Sequence, residues 1–127
     1  MSRAKKVFEK VENDLKKSEE EFNNEDYSDC VYHLWSIFEN CINIIKDIKN
    51  NKPIFNHKSK KELFESYPMM GILKEEYSYT FKDLDNLRKT ASFGEYAPIK
   101  NLPKKDKIKE YLDKAKSLVN ETKNILK

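Results

Sequence analysis

Residues 25–49 read EDYSDCVYHLWSIFENCINIIKDIK, and this stretch decides the fold. Its apolar residues recur every three or four positions, as they do along one face of an α-helix. The members of this stripe are Tyr27, Val31, Leu34, Phe38, Cys41, Ile45 and Ile48. Additional bulky side chains on either side of it are Tyr32, Trp35, Ile37, Ile42 and Ile44. The stripe is wider than one neighbouring helix needs, which predicts a central helix that contacts several elements or a second protomer.

Apolar periodicity also predicts the first and last helices of the chain. The first covers about residues 3–22 and ends at Asn23 and Asn24. The last covers about residues 104–126. Its inward positions are predicted to be Ile108, Leu112, Ala115, Val119 and Ile125.

Turn signals divide the region between the central and last helices. A short helix is predicted over residues 59–67, where Pro68 ends it, and Gly71 marks a further turn. A fourth helix is predicted over residues 74–93 and is stopped by Gly94. The sequence thus predicts an all-α fold, an up-down bundle of four long helices plus a short one.

Length and composition agree with a single helical domain over residues 1–127. The chain has only two glycines, and 37% of its residues are charged. A chain of this length builds one hydrophobic core and is too short for two. It contains no apolar run of about 20 residues and no apolar secretory signal at its start, so we expect a cytoplasmic protein without membrane contact. Cys30 and Cys41 lie too far apart on one helix for a disulfide and are predicted to be buried, reduced packing residues.

Arg88 interrupts a second apolar stripe, on the fourth helix. It shares one helical face with Tyr77, Phe81, Leu84 and Ala91. Because a guanidinium keeps its charge, on such a face it must be paired, hydrated in a cleft or kept for an anionic ligand. The simpler alternative is that its long side chain reaches outward to solvent.

The run around Arg88 resembles a known family. Residues 87–96 read LRKTASFGEY, similar to the end of the penultimate long helix of HEPN domains, whose signature is an arginine followed after four to six residues by a histidine. One branch of small archaeal and bacterial HEPN proteins instead has a run like Leu-Arg-x-x-Ala-Asp-Tyr-Gly. Residues 26–35 and 39–45 resemble that family's aromatic-rich second helix, and residues 56–58 its middle segment.

The resemblance implies a two-fold homodimer whose paired arginines meet in a cleft. In HEPN ribonucleases the arginine and histidine of each protomer cut RNA without a metal, and Arg88 would be the catalytic arginine that holds the scissile phosphate. The histidine, however, is missing. Ser92, Phe93 and Gly94 occupy the positions four to six residues beyond Arg88.

The retained arginine and the missing histidine lead to the hypothesis that the protein binds RNA or a nucleotide but does not cleave RNA. The expected nucleotide- or RNA-binding residues are Arg88, Lys89, Ser92, Tyr96 and His57. No metal or cofactor is expected. The resemblance further implies a toxin-antitoxin-type module in which the partner is a minimal nucleotidyltransferase. In some HEPN toxins such a partner modifies a tyrosine with AMP, but Tyr96 is one residue out of register with that position.

Two alternatives remain open at the level of sequence. The first is a metal-independent HEPN ribonuclease toxin with an unconventional proton carrier, either His57, Glu95 or Tyr96. The second is a structural interaction domain in which Arg88 pairs with an acid such as Glu39 or Asp29 in the interface. The other histidine, His33, lies beside the core stripe of the central helix and is predicted to be a structural, hydrogen-bonded residue.

Overall fold

The computed structural model describes residues 2–49, 59–89, 99 and 101–127, which contain five α-helices and no strand. The helices are α1 (Arg3–Asn23), α2 (Tyr27–Lys49), α3 (Lys60–Met69), α4 (Ser78–Lys89) and α5 (Lys105–Leu126). The predicted all-α class is therefore confirmed. In these ranges no helix is both long and apolar enough to cross a membrane.

Helix α2 is the centre of the bundle. It packs along α1, α5 and α4, and it also contacts α3. Its buried residues are Cys30, Val31, Leu34, Ile37, Phe38, Cys41, Ile42, Ile44 and Ile45. Burying each of the larger side chains contributes roughly 1.5–3 kcal/mol to the free energy of unfolding. The prediction that this helix contacts several elements is confirmed.

The outer helices follow the predicted bounds closely. Helix α1 extends one residue further than predicted, with Asn24 as its C-cap, and α5 begins after an N-cap at Lys104. Four of the predicted inward residues of α5, namely Ile108, Leu112, Ala115 and Val119, are buried. Ile125, the fifth, is only partly buried and packs at the edge of the core.

The turn between α1 and α2 places Glu25 in the left-handed region, with φ 63°. The backbone N–H of Asp26 donates to the carbonyl of Glu21 at 2.8 Å, and that of Glu25 donates to the carbonyl of Phe22 at 3.2 Å. This is the Schellman pattern, whose left-handed position is usually a glycine. Here the tight turn is made with a residue that carries a side chain.

Helix α3 continues beyond Pro68, so its predicted end is wrong by two residues. Ser59 caps its start by accepting the backbone N–H of Glu62 at 3.2 Å. At its end Gly71, with φ 74°, closes a second Schellman turn in which the N–H of Ile72 donates to the carbonyl of Tyr67 at 2.9 Å. Pro68 removes only one backbone donor, and this closing turn stabilises the final residues of the helix.

Helix α4 begins at Ser78, four residues later than predicted. The Glu121 carboxylate of α5 accepts the backbone N–H groups of Lys74 at 2.6 Å and Glu75 at 3.3 Å, which holds them in the connection before the helix. Glu76 then accepts the backbone N–H of Ser78 at 2.5 Å and starts the first turn. The predicted end of this helix at residue 93 lies outside the described residues.

Polar and aromatic contacts lock the helices around α2. The Phe38 ring lies 5.8 Å from the ring of Phe64 on α3 and 6.2 Å from that of Tyr77, centroid to centroid. His33 Nδ1 lies 2.7 Å from a carboxylate oxygen of Glu21 on α1, so its predicted role as a structural, hydrogen-bonded residue is confirmed. These contacts tie α1, α3 and the start of α4 to one central helix.

Both cysteines are buried and free, as the sequence predicted. The Cys30 thiol donates to the carbonyl oxygen of Ser18 at 3.4 Å. Burial raises the pKa of both thiols to about 12, because the thiolate would lose its solvation. The two residues therefore act as small apolar packing groups.

Candidate functional site

Arg88 ends the apolar stripe of α4 and lies against the central helix. Phe81 and Leu84, on the preceding turns, are buried. The guanidinium carbon of Arg88 lies 4.2 Å from the centroid of the Trp35 ring on α2, a cation–π contact. The side chain is 32% exposed, so the guanidinium has an aromatic ring on one side and access to solvent on another.

Asp85, one turn before Arg88, organises the surroundings of this contact. Its Oδ1 accepts the indole N–H of Trp35 at 3.1 Å and lies 3.7 Å from Nη2 of Arg88. Its Oδ2 lies 2.9 Å from the Lys89 ammonium. One carboxylate thus faces three donors, two of them cationic. We call the four residues Trp35, Asp85, Arg88 and Lys89 the Arg88 cluster.

The pKa of Asp85 reflects this environment. Burial of the carboxyl group raises its pKa, because the charged form loses solvation. Hydrogen bonds from Lys89 and Trp35, together with the positive charges of Lys89 and Arg88, outweigh that effect and bring the net pKa below its usual value. Asp85 is consequently ionised at neutral pH and offsets one of the two positive charges beside it.

The guanidinium of Arg88 is not saturated by these contacts. Nη2 of Arg88 and Oδ1 of Asp85 form an ion pair, but their separation of 3.7 Å is too long for a hydrogen bond. Within the described ranges the buried Nε of Arg88 has no hydrogen-bond partner. A guanidinium carries five N–H donors in a planar fork, and the exposed part of this one can still donate to the oxygens of a phosphate or carboxylate.

The structure brings together two of the five predicted binding residues, Arg88 and Lys89, through their shared partner Asp85. Ser92, Tyr96 and His57 lie outside the described residues, as does Glu95, the other proton carrier considered for a ribonuclease. Their part in the site stays a prediction.

Sequence reasoning missed Asp85 and Trp35. The spacing of Asp85 from Arg88 and Lys89, three and four residues, is typical of side-chain ion pairs on a helix and was a usable signal. The contact with Trp35 joins two helices that are distant in sequence, and no local pattern predicts which residues of two helices will face each other.

Within the protomer, Arg88 does not pair with Glu39 or Asp29, the carboxylates proposed from the sequence as its partners in an interface; a pairing across an interface stays a prediction. Glu39 forms an ion pair with Lys60 of α3, at 2.5 Å, and the acid beside Arg88 is Asp85. No ion pair joins Asp29 to Arg88 in the part of the chain that the structure describes. Asp85 is nearer because it lies one turn away on the same helix, whereas Glu39 faces α3.

The described residues form an all-helical bundle with a partly exposed arginine near the end of the fourth helix. The family model for the HEPN domain matches residues 4–125. The chain therefore belongs to the HEPN family. Comparison with the curated proteins and with the solved structures gave no match.

Proposed function

We propose that this HEPN-domain protein binds a phosphate group of RNA or of a nucleotide at Arg88 and does not cleave RNA. The observation that carries the proposal is the guanidinium of Arg88, which stacks on Trp35, is partly exposed, and among the described residues has only a 3.7 Å ion pair with Asp85. Lys89, with 63% of its side chain exposed, adds a second cation beside it. Arginine in such a setting recognises phosphate by charge-assisted hydrogen bonds.

The residues near Arg88 in sequence support the proposed absence of cleavage. A ribonuclease of this family would need a proton carrier four to six residues later, where the chain has Ser92, Phe93 and Gly94. None of these side chains titrates near neutral pH. His33, the histidine on α2, is engaged with Glu21 of α1.

The cellular role that we propose is that of one component in a toxin-antitoxin-type module. Family membership and the resemblance of residues 87–94 to one HEPN branch support this role. The protein would act as a homodimer with two Arg88 side chains in one cleft, and its partner would be a minimal nucleotidyltransferase. Light scattering of the purified protein tests the dimer, and co-purification with the product of a neighbouring nucleotidyltransferase gene tests the partner.

Binding is tested with a fluorescent single-stranded RNA in the presence of EDTA, by anisotropy at low and moderate salt. Arg88→Ala is expected to lower the affinity by about tenfold or more, since it removes a charge-assisted phosphate contact. Arg88→Lys is expected to retain only part of the affinity. An ammonium cannot donate two parallel hydrogen bonds to a phosphate, and it does not stack on an aromatic ring as a guanidinium does. Lys82→Ala is the matched control, since it removes an equal charge from an exposed position of the same helix.

The same samples, separated on a denaturing gel, distinguish the alternatives. Cleavage by the wild type that is lost in Arg88→Ala would contradict the proposal and favour a ribonuclease with an unconventional proton carrier. Equal affinity for the wild type and Arg88→Ala would favour a structural role for Arg88. Affinity that depends on Arg88 and falls with salt, with intact RNA, supports the proposal.

A further inference from the structure

A tyrosine lies beside the Arg88 cluster, on the same side of α2 as Trp35. Tyr32 precedes Trp35 by about one helical turn, and the centroids of the two rings are 5.9 Å apart. The guanidinium carbon of Arg88 lies 4.2 Å from the centroid of the same Trp35 ring. The Tyr32 ring is therefore no farther from the guanidinium than the sum of these two distances. An aromatic ring and a partly exposed cation thus border on one tryptophan.

Of the two rings, that of Tyr32 is the one that can accept a further stacking partner. Trp35 already has its face against Arg88 and its indole N–H on Asp85. Tyr32 is only half-buried, whereas the preceding Val31 is fully buried in the core. Its ring is tilted by 58° from that of Trp35, so the two rings do not stack face to face. In the part of the chain that the structure describes, no other ring contacts Tyr32.

A nucleotide carries both of the groups that these side chains would recognise. Its phosphate is a ligand for the Arg88 guanidinium, and its base is a flat π-system that stacks on aromatic side chains. Only the ribose separates the two, so a strand that binds Arg88 through a phosphate brings an adjacent base near Tyr32. Stacking on a side chain requires an uncovered face of the base. In a duplex the neighbouring base pairs cover both faces.

We propose that Tyr32 stacks on a base of the RNA strand whose phosphate binds Arg88, and that this contact makes the site selective for unpaired over double-stranded RNA. The inference rests on the proposed function, since it requires a phosphate at Arg88. Its contacts lie within one protomer, so each half of the proposed two-fold site has the same pair of side chains. Charge alone would favour the opposite preference, because a duplex has the higher density of phosphates.

A pair of ligands that differ only in their bases provides the first test. Fluorescent tetrauridylate and a tetramer with the same backbone but without bases have the same charge, and anisotropy gives a dissociation constant for each. The wild type is expected to bind tetrauridylate about tenfold more tightly, because it gains the stacking of a base on an aromatic ring. Equal affinities for the two tetramers would overturn the proposal.

Substitutions of Tyr32 assign this preference to its ring. Tyr32→Phe keeps the aromatic face, and the ratio of the two affinities is expected to equal that of the wild type. Tyr32→Leu keeps an apolar side chain for packing but has no aromatic face, and its ratio is expected to approach one. Tyr79→Leu is the matched control, because it removes a tyrosine that is 76% exposed near the start of α4. A ratio that is unchanged in Tyr32→Leu, or that falls as far in Tyr79→Leu, would overturn the assignment.

A crosslinking experiment uses only the wild-type protein and so does not depend on how a variant folds. A thiouridine placed in the tetramer forms a covalent bond under near-ultraviolet light with a residue that contacts the base. Mass spectrometry of the digested protein then identifies this residue, and Tyr32 is the expected one. No crosslink at saturating tetramer, or a crosslink confined to a different helix, would contradict stacking on Tyr32.

Competition measures the preference for unpaired RNA. A single-stranded RNA of mixed sequence and the same RNA annealed to its complement each displace labelled tetrauridylate from the wild type, and they are compared at equal concentrations of phosphate. The single strand is expected to compete at the lower concentration. If the duplex competes equally well or better, the proposed selectivity is wrong.

The outcomes separate this inference from the proposed function. If neither tetramer binds in a manner that depends on Arg88, the proposed function fails and the inference fails with it. If both tetramers bind through Arg88 with equal affinity, the proposed function stands. The protein then recognises the backbone of the strand alone, and the role assigned to Tyr32 is wrong.

Discussion

The Arg88 guanidinium lies on the face of the Trp35 indole, 4.2 Å from the ring centroid, and joins the end of α4 to the middle of α2. Trp35 is the only tryptophan in the chain. Its indole N–H is also bound by Asp85, so both the face and the edge of the ring contact the charged residues of the cluster. The tryptophan emission, excited at a wavelength that tyrosine does not absorb, therefore reports on this site.

Ligand binding at Arg88 is expected to change the tryptophan emission. A phosphate that draws the guanidinium toward itself alters the charge above the indole and hence the energy of its excited state. Titration of the wild type with adenosine 5′-monophosphate measures the change. Arg88→Ala is expected to show a different starting spectrum and no response, and a full response in this variant would place the ligand elsewhere.

Asp85→Asn is expected to destabilise the fold. The loss at neutral pH should be about 0.5–1 kcal/mol, because the carboxylate is only partly buried and the hydrogen bond from Trp35 is retained. The folded pKa of Asp85 is lowered, so its stabilising contribution is present above its ordinary pKa and disappears as the pH falls through the folded value. Urea unfolding should show the difference between the two proteins shrinking below about pH 3.8. A difference that is constant across this range would contradict the assignment.

The thiols of Cys30 and Cys41 are expected not to react in the folded protein. Both side chains are fully buried, and their raised pKa of about 12 leaves almost no thiolate at neutral pH. Titration with a chromogenic disulfide should detect no rapidly reacting thiol in native buffer and both thiols in concentrated urea. Rapid reaction of either one before unfolding would mean that α2 separates locally from its neighbours.

Glu25→Gly is expected to raise the stability. Glu25 occupies the left-handed position of the turn between α1 and α2, where a side chain costs about 1 kcal/mol or more and glycine costs little. The greater flexibility of glycine in the unfolded chain offsets part of the gain, so the net increase should be about 0.5 kcal/mol. Thermal unfolding measures it, with Glu20→Gly, inside α1, as the control that is expected to destabilise.

Glu121→Ala is expected to be the most damaging of these substitutions. The Glu121 carboxylate accepts the hydroxyl of the buried Tyr77 at 2.5 Å in addition to the backbone N–H groups of Lys74 and Glu75. Removing it leaves the hydroxyl of Tyr77 without this acceptor, at a cost of about 1–3 kcal/mol. Glu110→Ala, on the outer face of α5, is the control and should change the stability by less than about 0.5 kcal/mol. Comparable losses in both variants would show that Tyr77 does not depend on Glu121.

The sequence was sufficient to predict the helices and the core, because both depend on a period that can be counted along the chain. The stripe on α2 predicted a buried central helix, and Asn24 was correctly placed at the end of α1. The two wrong boundaries have non-local or subtle causes. The start of α4 is set by Glu121, which is distant in sequence, and the end of α3 by a closing turn at Gly71 that tolerates Pro68.

The candidate site was less predictable than the fold. Arg88 stood out because a charge within an apolar stripe is unusual, and Lys89 follows it directly. Its stacking partner Trp35 depends on how two helices rotate against each other, which composition and spacing do not encode. Helical spacing alone could have identified Asp85 as a partner of Arg88 and Lys89. The hypothesis of Glu39 or Asp29 as partners concerned an interface, and within the protomer the nearest acid is one turn away on the same helix.

Helix α4 is anchored at two points by other helices. Near its start Glu121 of α5 binds the connection that precedes it, and near its end Trp35 of α2 holds Asp85 and stacks on Arg88. A helix fixed in this way cannot turn about its axis, so the direction in which Arg88 and Lys89 point is decided when the chain folds. Part of the entropy cost of orienting the Arg88 guanidinium is thus met during folding, which would favour the binding of an anion there.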